Sequence, residues 1–328
     1  MHVSPYANRH HYHQRLEPAQ GILHGAGQDR KGFDAYNAVL GSGMQPGLVM
    51  FYAGLRAGKE LLPWGEKIRA FLQDEGRPPL LPQIGLSMTR DGTPEEHYEH
   101  EVLAGLHDRA LDYLAEALLS WKRPLFLRIG YEFNGAWNGY QKETFGPAFR
   151  YVVTHLRRAG VPFAAVWCAA MEGERDIMPY YPGDEWVDWW GIDLFSTDQL
   201  DPQDAFYTLA HRHRKPVMIG ESTPRYVGTL KGQESWDEWF APYFKIMQKQ
   251  AGIKAFCYIN WDWSPYPMWH NWGDGRLEMN ETVAGLYGKE MRHRDFLHAN
   301  HPSLRQWAEP SPNEPSTGPV DDLLFDHG

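Results

Sequence analysis

The feature of the sequence that most constrains its fold is a regular alternation of short apolar runs with longer amphipathic stretches. Eight runs rich in β-branched and aromatic residues are predicted as strands, at residues 21–25, 47–53, 80–88, 124–132, 163–169, 186–195, 216–221 and 253–261. Helical patterns lie between them, at residues 32–40, 64–74, 94–121, 144–158, 202–214 and 235–251, with at most a short helix at 173–182 and an eighth helix at 282–294. Eight strand–helix units without a break in composition predict a single (β/α)8 TIM barrel.

An open, doubly wound sheet is the alternative architecture. Such a sheet usually has a glycine-rich phosphate loop after an early strand, and the nearest match here is residues 25–27, which lack the rest of the dinucleotide-binding pattern. The barrel is therefore preferred. We expect the barrel domain to cover residues 18–309, preceded by an N-terminal arm at 1–17 and followed by a flexible, proline-rich tail at 310–328.

Composition and charge exclude several classes of function. The 328 residues include 32 basic and 42 acidic side chains, which gives a net charge of −10. Such a chain is poorly suited to bind nucleic acid or an anionic membrane surface, and no apolar run approaches the roughly 18 residues of a membrane span. Residues 1–6 lack the basic and apolar stretches of a secretory signal. We expect a monomer that is cytoplasmic as given, or secreted if a signal was removed.

Two of the predicted strands end in a glutamate. The fourth runs through Arg128 to Glu132, and the seventh is an apolar run that ends at Glu221. Side-chain alternation places Arg128, Gly130 and Glu132 on one face of the fourth strand. Since the active site of a TIM barrel lies at the C-terminal ends of its strands, both carboxyl groups are expected at the barrel mouth. Either glutamate alone could cap a helix or pair with an arginine, but two at these strand ends favour a functional pair.

Two carboxyl groups facing one substrate are what glycoside hydrolysis requires. One protonates the leaving oxygen and the other attacks the anomeric carbon, at a separation of about 5–5.5 Å if the configuration is retained. We expect burial and the charge of Glu221 to raise the pKa of Glu132, and Arg128 to help keep Glu221 ionised. Glu132 is therefore the predicted acid/base and Glu221 the predicted nucleophile, in a reaction that needs no cofactor.

The residues around both glutamates resemble glycoside hydrolase family 26, the β-mannanases and related β-glycanases of the clan of retaining glycosidases. The family pattern of an Arg, the acid/base Glu, Asn-Gly and a nearby Trp is matched by Arg128, Glu132, Asn134, Gly135 and Trp137. Residues 181–193 and 218–221 are similar to the family's approach to strand six and to its nucleophile strand. The resemblance covers residues 20 to 300 and implies an endo-β-glycanase of the mannanase or glucanase type, acting on a β-linked polysaccharide or oligosaccharide.

Two positions depart from the family pattern. The family usually has His immediately before the acid/base, where this sequence has Tyr131, and this difference weakens the expectation of a mannan-specific contact. The family also has a Tyr at the end of strand six that hydrogen-bonds the nucleophile, where this sequence has Phe195. Another group is then expected to orient Glu221, with Arg128, Tyr258 or a side chain of strand eight as candidates.

Tryptophan is unusually frequent, at 14 residues, which is about three times its usual share. Sugar rings stack on aromatic faces, so aromatic and polar residues near strand ends are predicted to bind substrate. These are Arg128, Asn134, Trp137, Trp167, Trp261, Trp263, Tyr131 and His24. Tyr52 is a further candidate, and Asp193 is left open between a site role and backbone bonding. A second group is predicted to pack helices on strands, namely Trp186, Trp189, Trp190, Trp236 and Trp239.

Two other functions are weighed against hydrolysis by a glutamate pair. A non-catalytic barrel that only binds carbohydrate would keep the aromatic residues without needing both glutamates. A metal-dependent hydrolase would need a ligand set, but the sequence has no HExxH or CxxC pattern, and the histidines at residues 10–13 are expected on a solvated arm. No metal site is therefore predicted. Cys168 and Cys257 fall inside strands and are expected to be buried free thiols.

Overall fold

The protein forms a closed barrel of parallel strands in a computed structural model that describes residue 6, residues 9–90 and residues 93–308. The barrel strands are β1 Ile22–Gly27, β2 Leu48–Gly54, β3 Leu81–Ser87, β4 Leu125–Ile129, β5 Phe163–Ala170, β6 Trp189–Leu194, β7 Val217–Ser222 and β8 Ile253–Ile259. They follow one another in order around the barrel, and β1 pairs with both β2 and β8, which closes the sheet. The predicted (β/α)8 TIM barrel is thus confirmed.

Helices surround the barrel. They are α1 Arg30–Leu40, α2 Leu61–Leu72, α3 Glu99–Leu103, α4 Asp108–Ser120, α5 Lys142–Arg158, α6 Ala205–Arg212, α7 Gln233–Ser235, α8 Ala241–Lys249, α9 Glu281–Met291 and α10 Pro302–Ala308. A π-helical turn joins α7 to α8, and a two-residue strand, β9 Phe296–Leu297, pairs with the start of β1. In the described part of the chain, no helix has both the length and the apolar character needed to cross a membrane.

The predicted helix over residues 94–121 is wrong in one respect. The structure divides it into a 3-10 turn at Pro94–Glu96, then α3 and α4. Gly105 ends the first helix with a φ of 77°, a left-handed conformation that glycine adopts without steric cost. Both helices contact α5, so the apolar pattern continues across the break and hides it in the sequence.

Apolar side chains form two layers, one inside the barrel and one between the strands and the helices. Alternation along β5 shows the division, because Val166 and Cys168 belong to the interior cluster and Trp167 belongs to the outer one. Trp190 and Trp239 are fully buried in the outer layer, as predicted. Trp189 is buried inside the barrel, so the prediction that it packs a helix on a strand is wrong. The mouth of the barrel, at the C-terminal ends of the strands, carries both aromatic and polar side chains.

The N-terminal segment lies on the opposite end of the barrel. The buried guanidinium group of Arg9 donates to the backbone oxygens of Met247 and Gln250, both at 2.6 Å. Lys254 donates to the backbone oxygen of His10 at 2.9 Å, although the His10 side chain is exposed. The expectation of a solvated arm at residues 10–13 is therefore corrected, because its backbone is held against α8 and β8. The tail expected at residues 310–328 lies outside the described residues.

Candidate active site

The C-terminal ends of the barrel strands surround a pocket of about 450 Å³. Glu132 and Glu221 both line it, so the structure brings together the two glutamates that the sequence pairs. The other lining residues are mainly aromatic or polar: Gln28, Tyr52, Tyr131, Trp137, Asn138, Glu172, Phe195, Trp263, Met268, Trp269 and Trp272. A pocket with aromatic walls and three carboxyl groups, those of Glu132, Glu172 and Glu221, suits a ligand that has apolar faces and polar edges.

A turn, not strand alternation, aims Glu132 into the pocket. β4 ends at Ile129, three residues before the glutamate, so the prediction that Arg128, Gly130 and Glu132 share one strand face is wrong. Gly130 and Glu132 have φ angles of 56° and 52°, and the second is a strained conformation for a residue with a side chain. The Glu132 backbone is held there from both sides, because its N–H donates to Cys168 O at 2.8 Å and its carbonyl accepts from Asn138 Nδ2 at 3.1 Å.

The surroundings of Glu132 favour the protonated carboxyl group. Burial raises its pKa well above the ordinary value, and the negative charges of Asp193 and Glu221 add to the effect. The indole N–H of Trp137 opposes the shift, since it donates to Glu132 Oε2 at 2.8 Å and stabilises the ionised form. The net effect is a raised pKa that favours the protonated carboxyl group, which is the form that a general acid needs.

Glu221 has the opposite environment. Its Oε1 accepts a hydrogen bond of 2.6 Å from Nη2 of Arg128, which is fully buried. The other end of the same guanidinium group lies 3.1 Å and 3.3 Å from the two oxygens of Asp193. Gly220 makes room for this network, because a Cβ at that position would lie 2.7 Å from Asp193 Oδ1 and 2.9 Å from Arg128 Nη1. Arg128 thus contacts carboxylates beneath the pocket, and its predicted contact with substrate is corrected.

The structure also shows which other groups reach Glu221. Tyr258 is not one of them, because its hydroxyl donates to Gly275 O at 2.5 Å. Tyr52 lies at the end of β2 with its hydroxyl close to Glu221, and burial followed by the charge of Glu221 raises the pKa of Tyr52 well above 10. Phe195 forms part of the pocket wall, 5.1 Å from the ring of Trp272. Burial raises the pKa of Asp193 to about 7, although Arg128 opposes the shift.

Two predicted substrate contacts lie in the outer layer instead. Trp167 is fully buried and stacks on Phe133 with ring centroids 4.4 Å apart. His24 is fully buried too, with Nε2 at 3.0 Å from Nδ1 of His298 and Nδ1 at 3.3 Å from the Tyr36 hydroxyl. Both predictions are wrong for the same reason. These side chains point to the helix side of their strands, and the sequence does not determine which face of a strand points into the barrel.

Two further predicted contacts lie beside the pocket. Asn134 is buried, and its side-chain amide donates to Ala170 O at 2.8 Å and Glu174 O at 2.9 Å. It therefore holds the turn after β4 to the end of β5 and does not face the pocket. Trp261 lies outside the pocket, near Tyr266, whereas the neighbouring Trp263 lines it. Tyr131 and Trp137 line the pocket as well.

Glu172 and Arg225 form an ion pair at the edge of the pocket. The sequence interpretation missed both residues. Glu172 lines the pocket two residues after β5, and its Oε1 accepts from Arg225 Nη1 at 2.9 Å. The Arg225 guanidinium group lies 4.9 Å from the rings of both Tyr226 and Trp272, which fixes its orientation. The rule that polar residues just beyond strand ends face the barrel mouth could have found both members of the pair, as well as Gln28.

One group among the described residues has the composition of a metal site. His97, Glu99 and His100 bring ligand atoms within 4.8 Å of one another. The Glu99 carboxylate already accepts hydrogen bonds from Gln141 N at 3.0 Å, Thr144 Oγ1 at 2.9 Å and His97 Nδ1 at 2.8 Å. None of the three lines the pocket with the glutamates. Cys168 and Cys257 are buried and free, as predicted.

Comparison with known proteins identifies relatives over most of the chain. The sequence profile described as glycosyl hydrolase family 26 matches residues 91–255. The β-1,3-xylanase TXYA of Vibrio sp. is 30% identical over 326 residues, covering 87% of this chain and 69% of that protein. A β-1,3-xylanase of Alcaligenes sp. is 28% identical over 325 residues, covering 88% of this chain and 67% of that protein.

Solved structures share the fold at lower sequence identity. The catalytic domain of an endo-β-1,4-mannanase from Bacillus sp. JAMB-750 is 16% identical, with a TM-score of 0.63 and coverage of 88% of this chain and 90% of that one. A Bacillus subtilis mannanase is 15% identical, with a TM-score of 0.59 and coverage of 87% and 88%. At this identity the similarity is evidence for the barrel and not for the substrate.

Proposed function

The chain belongs to glycosyl hydrolase family 26, and we propose that it is a retaining endo-β-1,3-xylanase. Membership makes it a glycoside hydrolase of the endo-β-glycanase type. The linkage and the sugar are the proposed part, and they rest on similarity to two β-1,3-xylanases over nearly nine-tenths of the chain. β-1,3-Xylan thus replaces β-mannan or β-glucan as the preferred substrate. The departures from the mannanase pattern at Tyr131 and Phe195 support this choice, since both residues line the pocket.

The observation that carries the proposal is the placement of two glutamates in one pocket with opposite electrostatic environments. Glu132 is half-buried and accepts its side-chain hydrogen bond from the neutral indole of Trp137, and its pKa is raised. Glu221 is held by Arg128 through a hydrogen bond of 2.6 Å. A protonated carboxyl group beside an ionised one is the combination that glycoside hydrolysis uses.

In the first step of the proposed mechanism, the Glu221 carboxylate attacks the anomeric carbon of the sugar. The glycosidic C–O bond breaks, and the carboxyl proton of Glu132 passes to the leaving oxygen. The product chain departs with a free hydroxyl group, and the remaining sugar is bound to Glu221 as an ester. Arg128 and Tyr52 position the Glu221 oxygens for this attack.

In the second step, the now ionised Glu132 takes a proton from a water molecule. The water oxygen attacks the anomeric carbon, and the ester bond to Glu221 breaks, which restores the Glu221 carboxylate and the Glu132 acid. Two inversions at the same carbon give net retention. The chemistry requires no cofactor, and Trp137 and Trp263 supply aromatic surface for the sugar rings.

The proposal is tested with a panel of β-1,3-xylan, β-1,4-xylan, β-1,3-glucan and β-1,4-mannan. We expect the highest kcat/KM on β-1,3-xylan, with products from internal cleavage. A higher value on mannan or glucan would overturn the substrate but leave a hydrolase. Binding to a β-glycan without hydrolysis of any of the four would favour a non-catalytic carbohydrate-binding barrel. Proton NMR of the first product distinguishes retention, which gives the β-anomer, from inversion.

A further inference from the structure

A groove lies beside the pocket, between the loop after β1, the end of β2 and helix α2. It has a volume of about 700 Å³, and we call it the α2 groove. Its lining includes Gln28, Phe51, Tyr52, Trp64, Lys67 and Ala70. Gln28 and Tyr52 line both this groove and the pocket that holds the glutamates. The two spaces are therefore neighbours that share a wall at the barrel mouth.

The lining of the α2 groove matches the surface of a sugar ring. Phe51 and Trp64 are half-buried aromatic residues, and Trp64 is held in place by Trp121 at a ring separation of 5.6 Å. Lys67 is exposed one helical turn beyond Trp64 on α2, and Gln28 offers an amide at the end nearer the pocket. Aromatic faces beside a few hydrogen-bonding groups bind the apolar face and hydroxyl edge of a pyranose.

We propose that the α2 groove is a distal subsite for the same neutral β-glycan chain whose scissile bond lies in the pocket. The inference rests on the proposed function, and it adds where the chain goes after leaving the glutamates. Continuity through Gln28 and Tyr52 selects the substrate as the occupant, because a sugar chain leaving the pocket on the β1–β2 side passes over these two residues. The groove then contributes to binding long chains and has no part in the cleavage of short ones.

The test is a blocking variant that does not touch the core. Ala70 is exposed on α2 and lines the groove, so Ala70→Arg fills the space without disturbing the barrel. We expect kcat/KM on the polymer to fall about tenfold, which corresponds to roughly 1.4 kcal/mol of lost interaction. On the shortest oligosaccharide that the enzyme cleaves, kcat/KM should stay within twofold. The matched control is Ala159→Arg, at an exposed alanine just after α5 that lines neither space.

A second variant removes attraction instead of adding bulk. Trp64→Ala should show the same dependence on chain length, with its melting temperature measured because Trp64 also contacts Trp121. Equal losses on long and short substrates, or no loss with Ala70→Arg in an active enzyme, would overturn the subsite and leave the proposed function standing. A parent enzyme inactive on every β-glycan would instead overturn the proposed function, and the subsite with it.

Discussion

The ends of β4 and β7 each present a glutamate to one pocket, yet the chain builds them in different ways. At β7 the strand itself carries Glu221 to the mouth, and Arg128 meets its carboxylate at 2.6 Å. At β4 the strand stops early, and a turn with a positive φ at Glu132 delivers the side chain. There the hydrogen-bond donor is the neutral indole of Trp137. One carboxyl group is matched by a cation and the other is not.

This difference shows that two residues of the same type take different roles because of their partners. Arg128 lies beneath the pocket and serves Asp193 and Glu221 together, so its positive charge is shared by two carboxylates. Glu132 lies in the negative potential of Asp193 and Glu221, and the opposing effects of Trp137 and Arg128 are smaller, so its pKa rises. The assignment of acid and nucleophile follows from this asymmetry, and each of the following changes tests it.

The largest effect is expected from Glu221→Gln. The substitution keeps a group that can accept a hydrogen bond from Arg128 but removes the nucleophile, so kcat should fall by at least about 10⁴-fold. The measurement is kcat on β-1,3-xylan, with circular dichroism to show that the fold is intact. Activity within tenfold of the parent would mean that Glu221 is not the nucleophile.

Glu132→Ala is expected to have a smaller effect that depends on the leaving group. General acid–base catalysis contributes about 10²–10⁴-fold, so kcat/KM on xylan should fall within that range. A glycoside with a dinitrophenolate leaving group needs no proton, and its first step should be nearly unaffected. Azide should then accelerate turnover and give a β-glycosyl azide. The same tests on Glu221→Ala should give no β-glycosyl azide. Identical behaviour of both variants would contradict the assignment of Glu132 as acid/base and Glu221 as nucleophile.

Arg128→Met should destabilise the protein and reduce activity together. It leaves the Asp193 and Glu221 carboxylates without their shared partner, and breaking a buried ion pair in this way costs about 3–5 kcal/mol. Urea unfolding measures the free-energy change. Arg128→Lys keeps the charge but cannot span both carboxylates, so an intermediate loss is expected. An Arg128→Met protein as stable and active as the parent would show that the network does not hold Glu221.

Trp137→Phe is expected to give the smallest change, a shift in pH dependence. The indole donates to the ionised form of Glu132 and so lowers its pKa, which means that removal raises the pKa further. The acid form then persists to higher pH, and the alkaline limb of kcat/KM should move upward. Trp263→Phe is the matched control, because its indole donates to Thr223 Oγ1 and not to a glutamate. A downward shift, or equal shifts in both variants, would contradict this role for Trp137.

The sequence predicted the barrel well because strands buried on both faces read as continuous apolar runs, and each of the eight overlaps an observed strand. The same continuity hides which face of a strand points inward. His24 and Trp167 were therefore assigned to the mouth although they belong to the outer layer. The break at Gly105 was missed for a similar reason, since the apolar pattern runs on across it.

The glutamate pair could be predicted because strand ends and chemistry point to the same two residues. Its surroundings could not, since they depend on contacts between distant segments. Asn134 is part of the expected motif, yet its side chain bonds backbone groups at the end of β5 and in the loop beyond it. Glu172 and Arg225 each follow a strand end and could have been expected at the mouth, but their pairing across 53 positions is visible only in the folded chain. The sequence left Asp193 open between a role in the site and backbone bonding. The structure shows it paired with Arg128 beneath the pocket, a contact that forms only in the folded barrel.

The most direct test of the central claim is to trap the covalent intermediate. The enzyme is incubated with a 2-deoxy-2-fluoro-β-xylobioside that has a good leaving group, then digested and analysed by mass spectrometry. The account predicts one glycosyl group bound as an ester to Glu221, and no label in Glu221→Gln. A label on Glu132 or on another residue would contradict the assignment, as would an active enzyme that releases the α-anomer first.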